Sequence, residues 1–292
     1  MILINGAELA EEILQEIRQE VEILVANGKR RPHLAAVLVG NNPASLSYVT
    51  NKVKSCETAG FRSSLIKRDE NCTEQELISL IEELNNDPEI DGFIVQLPLP
   101  RHIDADNILL KIDPKKDVDG FHPLNFGRMA QGLPAFLPAT PSGILQMLER
   151  YKIETDGKHC VVIGRSNIVG NPMSILMARK AYPGNCTVTI VHSRTSNLKD
   201  LVKQADIIIA AIGIPKFVTS DMVKEGAIVI DVGINRVADA STKSGFRLVG
   251  DVDFEHVAPK ASFITPVPKG VGPMTVCALM INTLKSAKSE IY

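Results

Sequence analysis

Apolar positions along this chain follow two alternating patterns, one typical of amphipathic helices and the other of buried strands. Residues 7–26 carry apolar side chains three and four positions apart, whereas residues 34–39 are continuously apolar. The alternation continues, with further helices predicted at 44–59, 73–84, 144–151 and 276–287 and further strands at 61–66, within 91–100, and at 160–163, 187–191, 206–210 and 227–231. Because helices separate most of these strands, we predict an α/β fold with a mostly parallel sheet.

Three segments indicate how the chain divides into lobes. The segment 111–121 is rich in charged and turn-forming residues, which is typical of a boundary. Thr140 and Pro141 suit the N-cap and the first position of a helix in a second lobe. The proline- and glycine-rich segment 262–275 is too rigid for a flexible linker. The apolar face of the helix after it must be buried, so we expect this helix to pack on the first lobe and make the first domain discontinuous.

A glycine-containing turn follows the apolar run 160–163 and precedes a helical pattern. Gly164 and Gly170 lie in this turn, and Ser166 stands where the G-x-G-x-x-G dinucleotide fingerprint has its second glycine. A tight turn from a strand into a helix exposes backbone N–H groups and the positive end of a helix dipole, which suit a phosphate. The turn indicates a dinucleotide site, although an ordinary strand-to-helix turn gives the same partial pattern.

The residues after the next strand bear on which dinucleotide binds. NAD-specific sites place an acid about 20 residues after the glycine turn, but Ser193 and Arg194 stand here, and Arg165 lies in the turn itself. Two guanidinium groups and a hydroxyl suit a 2′-phosphate, so we predict NADP; the alternative is that both arginines are solvated surface charges. Gly213 and Gly233 follow the next two strands and leave room for the cofactor across the strand ends.

Polar residues of the first lobe form a second candidate site. Tyr48 and Lys52 are one helical turn apart beside an apolar stripe, so their side chains share a face. Gln96 comes at the end of a predicted strand, where ligands gather in open α/β sheets. Asp119 precedes Gly120 in the turn-rich segment. Each has a plainer interpretation, as a solvated lysine, a residue at the rim of the sheet and a simple turn.

Composition narrows the class of protein further. The 292 residues are 45% hydrophobic and 23% charged, with a net charge of −2, so neither nucleic acid nor an acidic membrane surface is an expected partner. We expect no signal peptide and no membrane span, because no apolar run has the required length. The five cysteines are scattered without a C-x-x-C pair, which favours a reducing cytoplasm over a disulfide framework or a zinc site.

Five segments, in order along essentially the whole chain, resemble the bifunctional methylenetetrahydrofolate dehydrogenase/cyclohydrolase (FolD) family. They are 48–52 (YVTNK), 92–100 (GFIVQLPLP), 116–120 (KDVDG), 164–170 (GRSNIVG) and 264–275 (ITPVPKGVGPMT), and the last is close to diagnostic. The resemblance implies NADP-dependent oxidation of 5,10-methylene-tetrahydrofolate to the methenyl form, followed by hydrolysis to 10-formyl-tetrahydrofolate. These are reactions of one-carbon metabolism, which supplies purine biosynthesis.

The same resemblance implies an architecture. We expect two α/β domains with a cleft between them, a homodimer in the cytoplasm and no metal. Residues 1–139 with 273–292 are expected to form a folate-binding catalytic domain. Residues 140–272 are expected to form a Rossmann-type domain that binds NADP.

The resemblance also implies roles for residues, carried over by motif. Lys52 resembles the catalytic lysine, Tyr48 the residue that flanks the folate ring, and Gln96 the partner of the lysine. Asp119 resembles the pterin-binding acid. Further expected substrate contacts are Leu97, Pro98, Pro266 and Gly270, and the expected cofactor contacts are Gly164, Arg165, Ser166, Ile168, Val169, Ser193, Arg194, Gly213, Gly233, Ile234 and Thr275.

Lys269 departs from the family pattern, which usually has a glycine before Gly270. A glycine at this position suits a positive φ, so the lysine puts the backbone geometry of the loop in question. The lysine side chain either meets the acidic tail of folate or points to water.

The two reactions make different demands on the protein. Loss of hydride from the methylene bridge gives a cation that nitrogen lone pairs stabilise, so this step needs no acid–base group. Hydrolysis needs a proton acceptor for the attacking water. We expect this acceptor to be the neutral amine of Lys52, directly or through Gln96, because partial burial and the cationic product both disfavour a charged amine.

Three rival functions stay open at this point. They are a dehydrogenase without hydrolase activity, an NAD(P)-dependent dehydrogenase for another small substrate, and a non-catalytic nucleotide-sensing or scaffold protein. The presence of Lys52 and Gln96 argues against each of them.

Overall fold

The computed structural model describes residues 1–242 and 245–292, apart from the side chains of residues 43, 44 and 47. The chain divides into two compact units. The large-sheet unit comprises residues 1–10 and 140–275, and the small-sheet unit comprises residues 11–139 and 276–292. Each unit combines helices with parallel strands, so the predicted α/β class is confirmed.

The strands are β1 (Ile2–Leu3), β2 (His33–Val39), β3 (Arg62–Arg68), β4 (Gly92–Val95), β5 (His159–Ile163), β6 (Thr187–Val191), β7 (Ile207–Ala210), β8 (Ile228–Asp231), β9 (Asn235–Ala238), β10 (Phe246–Val249) and β11 (Phe263–Ile264). The helices are α1 (Gly6–Ala26), α2 (Pro43–Thr58), α3 (Glu74–Asn86), α4 (Ala105–Leu110), α5 (Pro123–Ala130), α6 (Ala139–Arg150), α7 (Gly170–Ala178), α8 (Leu198–Lys203), α9 (Phe254–Val257) and α10 (Val271–Ala287). Short 3₁₀ turns lie at Ser220–Met222 and Ala258–Lys260.

The large-sheet unit is built on a parallel sheet of order β1-β11-β8-β7-β5-β6. The chain leaves β5 for β6 on one side and then returns to β7 on the other side, so the strand order reverses at β5. Ligands of doubly wound sheets bind outside the carboxyl ends of the strands at such a reversal. The buried core of this unit includes Val161, Ile163, Ile208, Val229 and Ile264.

Residues 1–10 belong to the large-sheet unit, whereas the sequence placed all of 1–139 in one domain. The reason is β1, which pairs in parallel with β11 and extends the large sheet. The backbone N–H of Ile4 also donates to the carbonyl of Ile264 at 2.8 Å. A two-residue strand is too short to show a hydrophobic period, so the sequence did not indicate this pairing.

The small-sheet unit is built on the parallel sheet β3-β2-β4. All seven residues of the central strand β2 are buried, and α3 packs apolar side chains such as Leu77 and Ile81 into the same core. Thr73 caps α3: its hydroxyl accepts from the backbone N–H of Glu76, and the Glu76 carboxylate accepts from the backbone N–H of Thr73. This reciprocal pair of bonds is a capping box, and it marks the start of a helix that the sequence predicted at 73–84.

The segment from residue 276 to the end of α10 is also part of the small-sheet unit. The side-chain amide of Asn282 donates to the carbonyls of Val118 (2.8 Å) and Leu137 (2.9 Å). The hydroxyl of Ser286 donates to the carbonyl of Asp91 at 2.6 Å. Side chains of α10 thus bond backbone carbonyls of residues that lie more than a hundred positions earlier in the chain.

Two predictions at the start of the second lobe were wrong. The segment 111–121 is not a boundary, because it lies within the small-sheet unit and the ammonium group of Lys116 donates to the carbonyls of Leu84 and Asp87. Thr140 is not an N-cap, since α6 begins at Ala139 and the Thr140 hydroxyl bonds the Thr275 hydroxyl at 3.0 Å.

The last helix begins earlier than predicted. Its first residue is Val271, so the end of the proline- and glycine-rich segment is helical. Pro273 lies in the first turn of α10, where a missing N–H group costs no helical hydrogen bond.

No helix in the described part of the chain combines the length and the apolar character that a membrane crossing needs.

Lys269 adopts a backbone conformation that favours glycine. Its φ is 79°, and its side chain is exposed. The loop is held in this shape, because the Lys269 carbonyl accepts from the backbone N–H of Ala7 at 3.1 Å. The sequence analysis questioned the backbone geometry at Lys269, and the structure shows the reason: a residue with a Cβ adopts a left-handed conformation here.

We expect Lys269→Gly to increase the free energy of unfolding. Removal of the Cβ relieves a left-handed conformation that costs roughly 1–2 kcal/mol, offset by about 0.4–1 kcal/mol from the greater freedom of glycine in the unfolded chain. Urea denaturation measures the difference. Lys269→Ala is the matched control, because it removes the same charge and keeps the Cβ. Equal stability of the two variants would contradict this account.

Candidate active site

In the small-sheet unit, α2 and the end of β4 bring Lys52 and Gln96 together. The Lys52 ammonium group donates to Gln96 Oε1 at 3.2 Å. The glutamine is fixed from both ends, because its backbone N–H donates to the Val37 carbonyl at 2.9 Å and its Nε2 donates to the Leu97 carbonyl at 2.7 Å. The side-chain oxygen of Gln96 is therefore held toward the lysine.

Tyr48 lies one turn before Lys52 on α2 and is 43% exposed. An aromatic ring with this exposure is available to stack on a planar ligand. Leu97 is half-buried and Pro98 is exposed directly after Gln96. The structure thus places these predicted substrate residues on α2 and on the segment after β4.

Asp119 is a carboxyl group near enough to Lys52 to be affected by its charge. Burial raises the pKa of the Asp119 carboxyl, and the positive charge of Lys52 opposes this shift. Lys52 thus forms a hydrogen bond with Gln96 and interacts through its charge with Asp119, although the three residues lie far apart in the sequence. We call these three residues the lysine cluster.

Asp117 is a residue of this region that the sequence analysis missed. It is buried, and its carboxylate accepts from the backbone N–H groups of Phe121 (3.1 Å) and His122 (2.8 Å) and from Asn125 Nδ2 (2.9 Å). Burial raises the pKa of Asp117 to about 6. These bonds fix the turn that carries Asp119. The available signal was the pair of acids in Asp-Val-Asp-Gly, of which only the second was singled out.

In the large-sheet unit, the turn after β5 packs closely against the turn after β7. Gly164 has a φ of 119°, and a Cβ at this position would lie 2.2 Å from the carbonyl oxygen of Ala211. A Cβ on Gly170 would in turn lie 2.3 Å from the carbonyl oxygen of Gly164. Both glycines are therefore required by the close approach of backbone segments.

Ser166 closes the glycine turn on itself. Its hydroxyl accepts from the backbone N–H groups of Val169 (3.1 Å) and Gly170 (3.4 Å). Two N–H groups at the start of α7 are thus bonded within the turn rather than open to a phosphate. Arg165, Ser166 and Ile168 are exposed on the turn, and Val169 is half-buried.

The other predicted cofactor residues follow neighbouring strands. Ser193 and Arg194 are exposed after β6, Gly213 is exposed after β7, and Ile234 is exposed after β8, next to the buried Gly233. Because β5 to β8 run in parallel, these residues share the carboxyl edge of the sheet with the glycine turn. The edge therefore presents two arginines, a hydroxyl and glycine-containing loops.

The residues predicted in the 264–275 segment belong to the large-sheet unit, not to the unit of the lysine cluster. Pro266 is half-buried, Gly270 is buried, and the Thr275 hydroxyl bonds the Thr140 hydroxyl. Among the described residues, no group of three or more His, Cys, Asp or Glu side chains is arranged to hold a metal ion.

The fold and the site together define the class of protein to which this chain belongs. A parallel sheet with a glycine turn at its strand-order reversal is typical of dinucleotide-dependent α/β enzymes. A second unit with a lysine, a glutamine and an acid supplies groups for proton transfer.

Comparison with known proteins defines the family. Residues 138–291 match the NAD(P)-binding domain of tetrahydrofolate dehydrogenase/cyclohydrolase, and residues 4–119 match the catalytic domain of the same family. The chain belongs to the tetrahydrofolate dehydrogenase/cyclohydrolase family.

Individual relatives agree. The chain is 60% identical over 292 residues, covering 100% of both chains, to the bifunctional protein FolD of Bacteroides thetaiotaomicron. It superposes on the FolD methylenetetrahydrofolate dehydrogenase/cyclohydrolase of Campylobacter jejuni with a TM-score of 0.93 and 48% identity, covering 99% of each chain. It also superposes on the Trypanosoma brucei FolD complexed with NADP and an inhibitor. The TM-score is 0.93 and the identity 38%, covering 100% of this chain and 98% of that one.

These findings confirm the predicted family, the enzyme class and the cofactor class. The protein is an oxidoreductase and a hydrolase, a tetrahydrofolate dehydrogenase and cyclohydrolase on one chain, and its large-sheet unit carries the NAD(P)-binding domain of that family. The rival of a non-catalytic nucleotide-sensing protein is thereby excluded, and the match to both domains of the dehydrogenase/cyclohydrolase family argues against a dehydrogenase without hydrolase activity.

Proposed function

We propose that this chain oxidises 5,10-methylene-tetrahydrofolate to the methenyl cation with NADP and then hydrolyses that cation to 10-formyl-tetrahydrofolate. The observation that carries the proposal is the lysine cluster, in which the Lys52 amine bonds the fixed oxygen of Gln96 at 3.2 Å. A dehydrogenase alone has no need of this arrangement. When bound, NADP accepts the hydride that leaves the methylene carbon.

The residues of the lysine cluster have separate tasks in this proposal. The Asp119 carboxylate accepts hydrogen bonds from N–H groups of the pterin ring, and the exposed Tyr48 ring stacks on that ring. Water attacks the methenyl carbon, and Lys52, which reacts as the neutral amine, takes one of its protons and becomes an ammonium group, directly or through the Gln96 side chain. The second proton ends on the nitrogen of the C–N bond that breaks, which leaves the formyl group on the other nitrogen.

Lys52→Met is expected to lower the rate of methenyl-tetrahydrofolate hydrolysis by about 10²–10⁴-fold, the usual effect of losing a general base. Dehydrogenase activity falls less, because hydride transfer needs no base. Decay of methenyl-tetrahydrofolate absorbance, corrected for the spontaneous rate, measures the first activity, and formation of NADPH measures the second.

Lys54→Met is the matched control for this experiment. Lys54 is an exposed lysine on the same helix, two positions away, so its side chain points in a different direction. We expect its variant to retain both rates. Wild-type hydrolysis in Lys52→Met would show that the proton acceptor lies elsewhere.

We further propose that Arg165, Ser193 and Arg194 select NADP over NAD. All three are exposed at the carboxyl edge that carries the glycine turn. Guanidinium groups form bidentate, charge-assisted hydrogen bonds with phosphate, and the acid that would hold free ribose hydroxyls is absent from the sequence at this place.

Arg165→Ala is expected to raise the KM for NADP by about tenfold or more, since a charge-assisted hydrogen bond contributes about 1.5–3 kcal/mol. The KM for NAD is expected to change little. Steady-state rates with both cofactors give the two constants, and Arg150→Ala, at an exposed arginine of the same unit, is the control. A parallel rise of both KM values would remove Arg165 from cofactor selection.

We infer that the chain forms a homodimer through the large-sheet unit. The strand β6 lies at the edge of the sheet, and its Ile190 side chain is 38% exposed. An edge strand presents unpaired backbone groups, which a second copy can cover.

Sedimentation at micromolar concentration is expected to give twice the mass of one chain, and Ile190→Lys to give the mass of one chain, because a charge on an edge strand opposes pairing. Ile23→Lys is the control, at an exposed apolar position on α1 in the other unit. Wild-type protein at the mass of one chain would contradict the dimer.

We also infer a reducing, cytoplasmic location. None of the five cysteines forms a disulfide, and all of them are buried: Cys56, Cys72, Cys160, Cys186 and Cys277. Burial raises the pKa of Cys56 to about 12 and that of Cys186 to about 11, which keeps them as thiols. Thiols of this kind are typical of proteins from reducing compartments.

A further inference from the structure

Two buried acids lie at the carboxyl edge of the large sheet. Asp231 is the last residue of β8 and is 3% exposed, and Asp251 follows β10 and is 0% exposed. A buried carboxylate is costly unless hydrogen-bond donors surround it. We call these two residues the carboxylate pair.

Asp251 binds the loop after β7. Its Oδ2 accepts from the backbone N–H groups of Ile212 (2.7 Å) and Gly213 (2.8 Å). Its Oδ1 accepts from the side-chain amide of Asn235 at 2.9 Å, directly after Ile234. One carboxylate therefore connects the loop after β7 with the start of β9.

Asp231 binds the loop after β8 and the segment that carries Asp251. Its Oδ1 accepts from the backbone N–H groups of Gly233 (3.0 Å) and Asp251 (2.9 Å), and its Oδ2 accepts from that of Val252 (3.0 Å). A Cβ on Gly250 would lie 1.7 Å from Asp231 Oδ2, so the backbone approaches as closely as a glycine allows.

We propose that the carboxylate pair is a set of positioning residues for the dinucleotide: it holds the loops after β7 and β8 in the shape that receives the cofactor. The loops that it fixes carry Gly213, Gly233 and Ile234, the predicted cofactor contacts. The inference rests on the proposed function, since it takes these loops as the cofactor site. Neither acid contacts the cofactor itself in this account.

The ionisation of Asp231 is balanced between opposing effects. Burial raises its pKa to about 7, the negative charge of Asp251 acts in the same direction, and the three N–H donors oppose the shift. A proton on Oδ2 would face the N–H of Val252, donor against donor. The bonding of Asp231 is therefore sensitive to the loss of an acceptor oxygen, because each of its oxygens accepts from a backbone N–H group that cannot turn away.

The test exploits the two reactions of the enzyme. Asp251→Ala and Asp231→Asn are each expected to raise the KM for NADP by about 10-fold to 100-fold. A displacement of the cofactor loops by about 1 Å has effects of this order. Asparagine at 231 leaves at least one backbone N–H facing another donor, whichever way its amide turns. Hydrolysis of methenyl-tetrahydrofolate, measured without NADP, is expected to stay within about threefold, since the loops serve only the cofactor.

Two further variants calibrate the result. Asp251→Asn is expected to have a small effect, because its amide oxygen still accepts from Ile212 and Gly213 while the Asn235 amide rotates to accept the new N–H₂ group. Asp206→Ala is the matched control at the opposite edge of the same sheet, where the carboxylate accepts from the backbone N–H of His159 at 2.8 Å. It is expected to leave the KM for NADP unchanged.

The outcomes separate this inference from the proposed function. Wild-type protein without the two reactions would contradict the proposed function. Active wild type with an unchanged KM for NADP in both Asp251→Ala and Asp231→Asn would overturn the positioning role. A parallel loss of both reactions, or failure of both variants to fold by circular dichroism, would also overturn it, because the pair would then serve stability alone.

Discussion

The large-sheet unit depends on the parallel pairing of β5 with β6 on one side and β7 on the other. This pairing puts the ends of three strands at one edge, so turns distant in sequence become neighbours. Gly164 then approaches the carbonyl of Ala211 so closely that a Cβ would lie 2.2 Å from its oxygen. The exposed Arg165 and Arg194 reach the same edge for the same reason. A dinucleotide site is thus a consequence of the strand order more than of any single residue.

The carboxyl edge also needs support beneath its exposed loops. Asp231 and Asp251 provide acceptors for five backbone N–H groups from the loops after β7 and β8 and from the segment 251–252. Buried N–H groups must find partners, and short loops offer few carbonyls of their own. In the small-sheet unit, Asp117 does the same for the turn that carries Asp119. Both units therefore use buried acids to hold the shape of a loop.

The lysine cluster shows how a fold restricts flexible side chains. A lysine has many rotamers, and a glutamine amide can turn either way. Here the Gln96 amide donates to the Leu97 carbonyl, which leaves its oxygen for Lys52. Asp119 adds a carboxyl whose pKa burial raises and the lysine charge lowers. The fold thus orients the Gln96 amide, and the position of its oxygen in turn favours one direction of the Lys52 side chain.

The sequence by itself determined the family and the elements that have a strong hydrophobic pattern. Continuous apolar runs predicted β2 and β5, because a strand buried on both faces has apolar side chains at consecutive positions. The motifs from 48–52 to 264–275 indicated the family and NADP. The tertiary structure decided what joins distant residues. It placed residues 1–10 in the large sheet, brought Lys52 within 3.2 Å of Gln96, 44 positions away, gave Lys269 a positive φ, and buried the pair Asp231 and Asp251. A local pattern records which face of an element is buried, whereas contacts between elements depend on where each strand ends and which strand lies beside it.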